Sequence, residues 1–330
     1  AREVDKLFAL IKRVSAGGVA VIYVSHRLEE VSEIADSVTV LRDGRTVGDG
    51  PIDTFGMSRL VELISGDAGS VGTAATVDAA AVAAEPERGG AVSLEVAGVA
   101  ARSAHDVTFE ARRGEILGIV GLLGSGVDDI ARVLSGRLRR QKGKIEVFGR
   151  PLNPQALADA RKMGYWVVVG EREDRSVLTL TVGENLTLST LGRFFRSGLL
   201  RLRRMRRAQV QTISDFGILP ADSDLTAQQL SGGNQQKVAL ARVIQADPGV
   251  LVLEEPFKGV DIRGRREIAD LLRAAAGRGR TVVIVDSDLE AVAEICTRAV
   301  VLRDGMVSGD FERAAITKSQ LVKACYGEAM

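Results

Sequence analysis

Residues 24–50, VSHRLEEVSEIADSVTVLRDGRTVGDG, recur as residues 285–311, VDSDLEAVAEICTRAVVLRDGMVSGDF, without a gap and at a fixed offset of 261. About half of the aligned positions are identical. Self-similarity of this length at a constant offset requires two copies of one domain, whatever that domain is. Both copies read as helix, apolar strand, loop, helix, strand and turn. In the second copy a helix falls around 264–277, TVVIV (281–285) is the strand, another helix starts near Asp288, and AVVLRDG is a strand ending in a turn. In the first copy VAVIYV (19–24) is the corresponding strand. At the same offset Ala1 aligns with Ile262, so the first copy lacks everything ahead of that point. The chain opens Ala-Arg-Glu with no Met and reads as a piece of something longer.

Between the copies, roughly residues 67–90, DAGSVGTAATVDAAAVAAEPERGG, offer no aromatic and no broad apolar stripe. Such a segment buries too little surface to offset its ordering entropy and is expected to be a flexible linker. The expected organisation is therefore a partial copy over 1–66, a linker over 67–90 and a complete copy over 91–330.

The formal net charge of +1 gives no general pull toward nucleic acid or anionic membrane, so any such preference must be local. The two cysteines, Cys296 and Cys325, form no disulfide framework and no metal-ligand spacing, and are expected to be buried or indifferent thiols in a reducing compartment. No apolar run approaches the ~18–20 residues that a membrane-crossing helix needs, and no signal peptide is visible.

Three motifs in the second copy carry chemistry. The stretch EILGIV-GLLGSG-VDDIARVLSG places a glycine-rich loop, with glycines at 121, 124 and 126, between an apolar strand and an amphipathic helix. Exposed N–H groups and the positive end of a helix dipole make such a loop a phosphate cradle, although a plain strand-to-helix turn looks the same. LVLEEP (251–256) is a buried strand carrying Glu254 and Glu255 at its C-terminal end, the edge where α/β sheets bind ligands. Two acids there can hold a metal ion and orient a water, or merely be solvated. LSGGNQQKVALARVI (230–244) opens a helix with Ser231, Gly232 and Gly233, a second anion site, and leaves Lys237 and Arg242 off its apolar face.

LSGGNQQ resembles the signature of ATP-binding cassette ATPases, and NQQKV is similar to the branch that serves ribose, xylose and galactose importers. The order of phosphate loop, signature, LVLEEP and GVD (259–261) agrees with that family, and two fused cassettes per chain agree with the repeat. The resemblance implies an α/β P-loop NTPase fold with a parallel-sheet core, an antiparallel β subdomain and a helical subdomain. It implies ATP and Mg²⁺ as ligands. Nucleotide contacts fall on Gly121, Gly124, Ser125, Gly126, Val127, Asp128, Glu171, Ser231, Gly232, Gly233, Gln235 and Asp261. Glu254 and Asp128 take the metal, and Glu255 and His26 take the catalytic positions.

This sequence departs from the family pattern GxxGxGK[ST]. Val127 stands where a Lys reaches the phosphates, and Asp128 where a hydroxyl ligates Mg²⁺. Glu254 replaces an Asp, Ser287 replaces the switch histidine that the first copy keeps as His26, and GEREDR offers Glu171 in place of Gln. The second-copy loop is therefore expected to be crippled for catalysis. The competent site would pair a loop from the first copy with Ser231, Gly232 and Gly233, and this chain alone would hydrolyse ATP poorly. Seven Arg in RFFRSGLLRLRRMRRAQV (193–210) form either a solvated helix face or a contact for a permease or anionic lipid.

The expected partners are transmembrane permease subunits, through them an extracellular sugar-binding protein, and a second cassette of the same chain or dimer. The expected location is the cytoplasmic side of the membrane, as a peripheral subunit. A non-hydrolysing cassette that regulates or holds the permease is the alternative. A soluble tandem cassette on ribosomes or DNA fits less well, because NQQ follows SGG and no charged helical arm joins the copies; with two Phe in the basic segment, nucleic acid is not expected.

Overall fold

The computed structural model describes residues 2–25, 28–42, 45–56, 59–60, 63, 90–171 and 176–327. Two compact units result, one of residues 1–77 with Asp261–Arg263, the other of residues 78–260 and 264–330. His26 and almost all of the expected linker lie outside the described residues.

In the first unit, α1 (Arg2–Ala16) and α2 (Leu28–Ile34) precede an antiparallel pair, β1 (Ser37–Arg42) with β2 (Arg45–Pro51). Phe8 is buried and meets Tyr23 edge to face at 6.3 Å. VAVIYV does not form the expected strand: residues 19–25 have no regular secondary structure, with Ile22 92% and Val24 90% exposed. The second copy shows why. There TVVIV is hydrogen-bonded on both sides by parallel neighbours, and the first copy contains no sequence matching either neighbour. An apolar run becomes a central strand only when partners flank it.

In the second unit the apolar runs become β5 (Ile116–Gly121), β8 (Tyr165–Val168), β11 (Val250–Glu254), β12 (Thr281–Val285) and β13 (Arg298–Arg303), with β14 (Met306–Glu312) at one edge. Their order is β14-β13-β5-β12-β11-β8, parallel except for the β13–β14 hairpin. Side chains alternate between two cores. Leu117, Ile119, Val252, Val283 and Val285 face one, while Ile116, Val120, Leu251, Leu253 and Ile284 face the other. Burial on both faces is what continuous Val/Ile/Leu runs require.

A separate antiparallel sheet, order β4-β3-β6-β7, is built from β3 (Val92–Ala100), β4 (Val107–Arg112), β6 (Lys142–Val147) and β7 (Arg150–Pro151). It shares the first of those cores.

Helices α3 (Val127–Leu134) and α4 (Leu157–Lys162) follow β5 and β7. A helical portion then holds α5 (Val182–Leu188), α6 (Leu202–Asp215) and α7 (Gly232–Ile244) around Val182, Leu186, Ile213, Ile218, Leu230 and Val238, with a short antiparallel pair, β9 (Phe195–Arg196) and β10 (Leu199–Leu200), between α5 and α6. The helix expected at 264–277 is α8 (Ile262–Gly277). The helix expected near Asp288 is α9 (Leu289–Ile295), capped by that aspartate through the Glu290 and Ala291 N–H groups. The parallel core, antiparallel subdomain and helical subdomain are those the resemblance implies.

Both cysteines are free and buried, and burial in the core pushes the Cys296 thiol far up. No described helix is long and apolar enough to cross a membrane.

Candidate functional site

The glycine-rich loop follows β5. Gly124 and Gly126 adopt φ of +84° and +94°, left-handed values that favour glycine. Gly126 caps α3 without a side chain, leaving backbone N–H groups at the helix start. The loop is fastened from beneath, where the Gly305 N–H donates to the Ser125 carbonyl at 3.0 Å. Ser125 Oγ is buried with no hydrogen-bond partner among the described residues.

The three residues after the loop diverge in fate. Val127 is 4% exposed and joins the core beside Leu117 and Ile119. Asp128 is exposed. Asp129 turns inward, where its Oδ2 accepts from the Ser103 N–H at 2.5 Å and the Ser103 hydroxyl at 2.7 Å. Burial alone would raise the Asp129 carboxyl, but the Ser103 donors and Arg102 bring it below the ordinary value. A depressed carboxyl lends stability that is present above the ordinary Asp pKa and lost as pH falls through the native value. Asp129→Ala should therefore cost about 2 kcal/mol at neutral pH, with the deficit shrinking in acid. Urea titrations at pH 7 and pH 3 measure both.

Two further edges converge on the loop. At the end of β11, Glu255 has φ +43°, a strained value for a non-glycine residue. Its N–H donates to the Val285 carbonyl at 2.9 Å, and its carboxylate takes Lys258 Nζ at 2.6 Å. At the end of β12, Asp286 is 5% exposed. Its Oδ1 accepts from the Asp288 N–H at 2.9 Å, while Oδ2 has no partner among the described residues. Burial, with the Asp288 and Glu255 charges and against the pull of the Asp288 N–H and Arg265, pushes its carboxyl up to about 6.

These edges enclose a cavity of about 210 Å³ lined by Val127, Asp128, Ala131, Arg132, Glu171, Glu254, Glu255, Lys258, Val285, Asp286 and Ser287. It lies at the C-terminal ends of parallel strands, the ligand edge of an open α/β sheet. A larger cavity of about 390 Å³ opens at Arg139, Arg140 and Lys142 and is lined by neither a carboxylate nor the glycine loop. The smaller cavity holds the chemistry.

The structure thus gathers Val127, Asp128, Glu171, Glu254 and Glu255 in one place, with Ser287 at the position expected of a switch histidine, while Gly121, Gly124, Ser125 and Gly126 precede Val127 and are not part of the lining. Ser231 is exposed and Gly232 and Gly233 are half-buried at the start of α7, away from this cavity. Ser231 Oγ caps the helix by accepting from the Asn234 backbone N–H at 3.4 Å, and it also accepts from the Asn234 side-chain amide at 3.0 Å. Asp261 is exposed and does not line the cavity. Gln235, an expected nucleotide contact, is turned inward. It is 2% exposed and its amide donates to the Ala227 and Leu230 carbonyls at 2.9 and 3.1 Å, so it shapes the loop before the helix. Lys237 is also buried, donating to the Gly217 carbonyl at 2.8 Å and pairing with Glu267.

The metal assignment meets a correction. Glu254 and Asp128 line the same cavity, but the Glu254 carboxylate is held by Arg137, whose other terminal nitrogen donates to Glu171 at 3.1 Å. Among the described residues no three His, Cys, Asp or Glu side chains are arranged to share a metal ion. With the Mg²⁺-binding hydroxyl replaced and Glu254 engaged, the residues present do not fit Mg²⁺ here. Sequence reasoning missed Arg137 because no motif marks it: its partners are 34 and 117 residues away. Asp286 had a signal, an acid directly after a fully buried strand.

Comparison with known proteins places this geometry. Residues 104–258 match the family model described as ABC transporter. The chain is 35% identical, over 99% of its length, to the ribose import ATP-binding protein RbsA 2 of Rubrobacter xylanophilus, covering 62% of that protein. It is 36% identical to the ribose import ATP-binding protein RbsA of Chromobacterium violaceum, covering all of this chain and 64% of that one. It is 35% identical to the xylose import ATP-binding protein XylG of Burkholderia ambifaria, covering 98% and 63%. The chain therefore spans less than two thirds of the length of these relatives. Among solved structures, an ATP-binding cassette of an ABC transporter in its ADP conformation superposes with a TM-score of 0.59 at 20% identity, over 72% of this chain and all of that one. A nucleotide-free cassette gives 0.58 at 19% identity, over 71% and 98%. At those identities the likeness concerns the fold.

Proposed function

We propose that this chain, which belongs to the ATP-binding cassette family of ABC transporters, is part of the ATP-hydrolysing subunit that energises monosaccharide import. The observation that carries the reading is the convergence of the helix start that follows the loop, the LVLEEP edge and Ser287 on one cavity, in a chain whose relatives are named for ribose and xylose import along its whole length. Residues 1–66 would be the closing part of a first cassette and 91–330 a complete second one. The partners would be permease subunits on the cytoplasmic face of the membrane and, through them, an extracellular sugar-binding protein.

In this reading the two cassettes do unequal work. The second-cassette cavity has no loop lysine, no Mg²⁺-binding hydroxyl and no switch histidine, so it cannot neutralise a developing phosphate charge. Turnover would occur where Ser231, Gly232 and Gly233 complete a site on a first-cassette phosphate loop, with ATP, Mg²⁺, a counterpart of Glu255 and His26. The second cavity would be regulatory.

Two measurements test this. The 330-residue chain by itself should release phosphate from Mg·ATP at no more than the buffer rate. In the whole transporter reconstituted in vesicles, Ser231→Arg should abolish ATP-driven sugar uptake, whereas Glu255→Gln should reduce it by less than about tenfold. Steady Mg²⁺-dependent hydrolysis by the isolated chain, lost on Ser231→Arg, would overturn the division of labour.

A further inference from the structure

The second-cassette cavity has lost the lysine of its loop, yet Arg132 and Lys258 line it, and Arg137, outside the lining, holds two of its carboxylates. Arg137 reaches them from the far end of α3. The chain turns there through Ser135 and Gly136, the latter at φ +76° and so close to Pro154 that a Cβ would lie 2.4 Å from that carbonyl oxygen. Only glycine fits this turn, and the turn aims the next residue. The Arg137 N–H donates to the Arg132 carbonyl at 2.8 Å, and its Nε donates to Ser135 Oγ at 3.1 Å. The two terminal nitrogens then reach different elements. Nη1 donates to Glu171 beyond β8, and Nη2 to Glu254 at the end of β11. Every nitrogen of the guanidinium is engaged, and the backbone beneath it is pinned.

From this geometry we infer that Arg137, bound to two carboxylates that line the cavity, stands between Glu254 and Glu171 in place of a divalent ion, so that this pair of carboxylates is metal-free. A guanidinium suits the role. It is always charged and presents N–H donors in a rigid fork, so it can satisfy two carboxylates that would otherwise repel. The Glu254 side chain is 16% exposed, and such a carboxylate is costly to leave without a partner. The other cation bound to a carboxylate of the cavity, Lys258, is paired with Glu255, on the opposite side of the strand end from Glu254. A divalent ion that took Glu254 and Glu171 as ligands would have to displace Arg137 from both of them. The inference rests on reading the cavity as a degenerate nucleotide site, but it concerns the empty protein.

The test is Mn²⁺ binding to the full chain without nucleotide, followed by electron paramagnetic resonance at pH 7.5. The wild type should bind no stoichiometric Mn²⁺. Arg137→Ala should gain one site, with affinity at least about tenfold above any wild-type binding. Adding Glu254→Gln to that variant should remove the site again, and Arg137→Lys, which keeps the charge, should behave like the wild type. Circular dichroism confirms that each variant is folded. Should Arg137→Ala not fold, the wild-type and Arg137→Lys measurements still decide. One tightly bound Mn²⁺ in the wild type overturns the inference, and so does a folded Arg137→Ala that gains none. Binding of a fluorescent ADP analogue, measured separately, tests the nucleotide reading: its absence would sink that reading without changing the Mn²⁺ result.

Discussion

Gly121→Ala is expected to lower stability by about 3 kcal/mol. A Cβ at that position would lie 2.2 Å from Ser125 Oγ and 2.7 Å from the Leu302 carbonyl oxygen. The hydroxyl could rotate away. The carbonyl cannot, because Leu302 is in register with Gly121 in the β5–β13 ladder, and moving it would break pairing at the centre of the sheet. Gly192→Ala is the control: a Cβ there meets nothing within 4 Å, and its effect should stay within ~0.5 kcal/mol. For a domain of this size the Gly121 variant should melt roughly 6–12 °C lower. A melting temperature within a degree of wild type would show that the close approach is not real. The prediction bears on function, because it separates two reasons for the glycine. The loop can keep its phosphate-cradle form after losing its lysine simply because the sheet leaves no room for another residue at its first position.

That separation explains what was legible in the sequence. The strands ILGIV, LVLE and TVVIV were readable because their apolar runs are buried on both faces by neighbours in the same unit. VAVIYV has the same character and was misread, since periodicity reports the side chains and not whether partners are present. The glycine loop and the two glutamates were readable as ligand-edge chemistry, for that depends on local chain geometry. Gln235 sits in a recognisable motif that marks it as a ligand contact, and in the fold its side-chain amide makes a buried pair of hydrogen bonds. Arg137 was invisible for the opposite reason. Its role is set by Gly136 and by two carboxylates distant in sequence, and only the fold brings them together.

Asp286→Asn should stabilise the protein by about 2–3 kcal/mol at pH 8, and the gain should vanish by about pH 4. The sign follows from the direction of the shift. In the unfolded chain Asp286 titrates at its ordinary value of 3.8, whereas burial raises the native carboxyl to about 6. A raised acid binds its proton more tightly in the native state. Its contribution to stability is therefore fully favourable below about 4, declines as pH rises through 6, and leaves the native state holding a buried charge above 7. Asparagine has nearly the same shape and keeps a carbonyl oxygen for the Asp288 N–H, so it removes the charge without removing the contact. The informative quantity is the difference between variant and wild type at each pH. Groups such as Asp129, whose carboxyl is depressed, titrate in both proteins and cancel. Urea titrations at half-unit intervals from pH 4 to 8 should give a difference that grows from about pH 4 through 6 and then levels. A pH-independent difference, or a variant less stable at pH 8, would mean that Asp286 is compensated by a group facing Oδ2. It would also mean that the ligand edge carries no stored electrostatic cost.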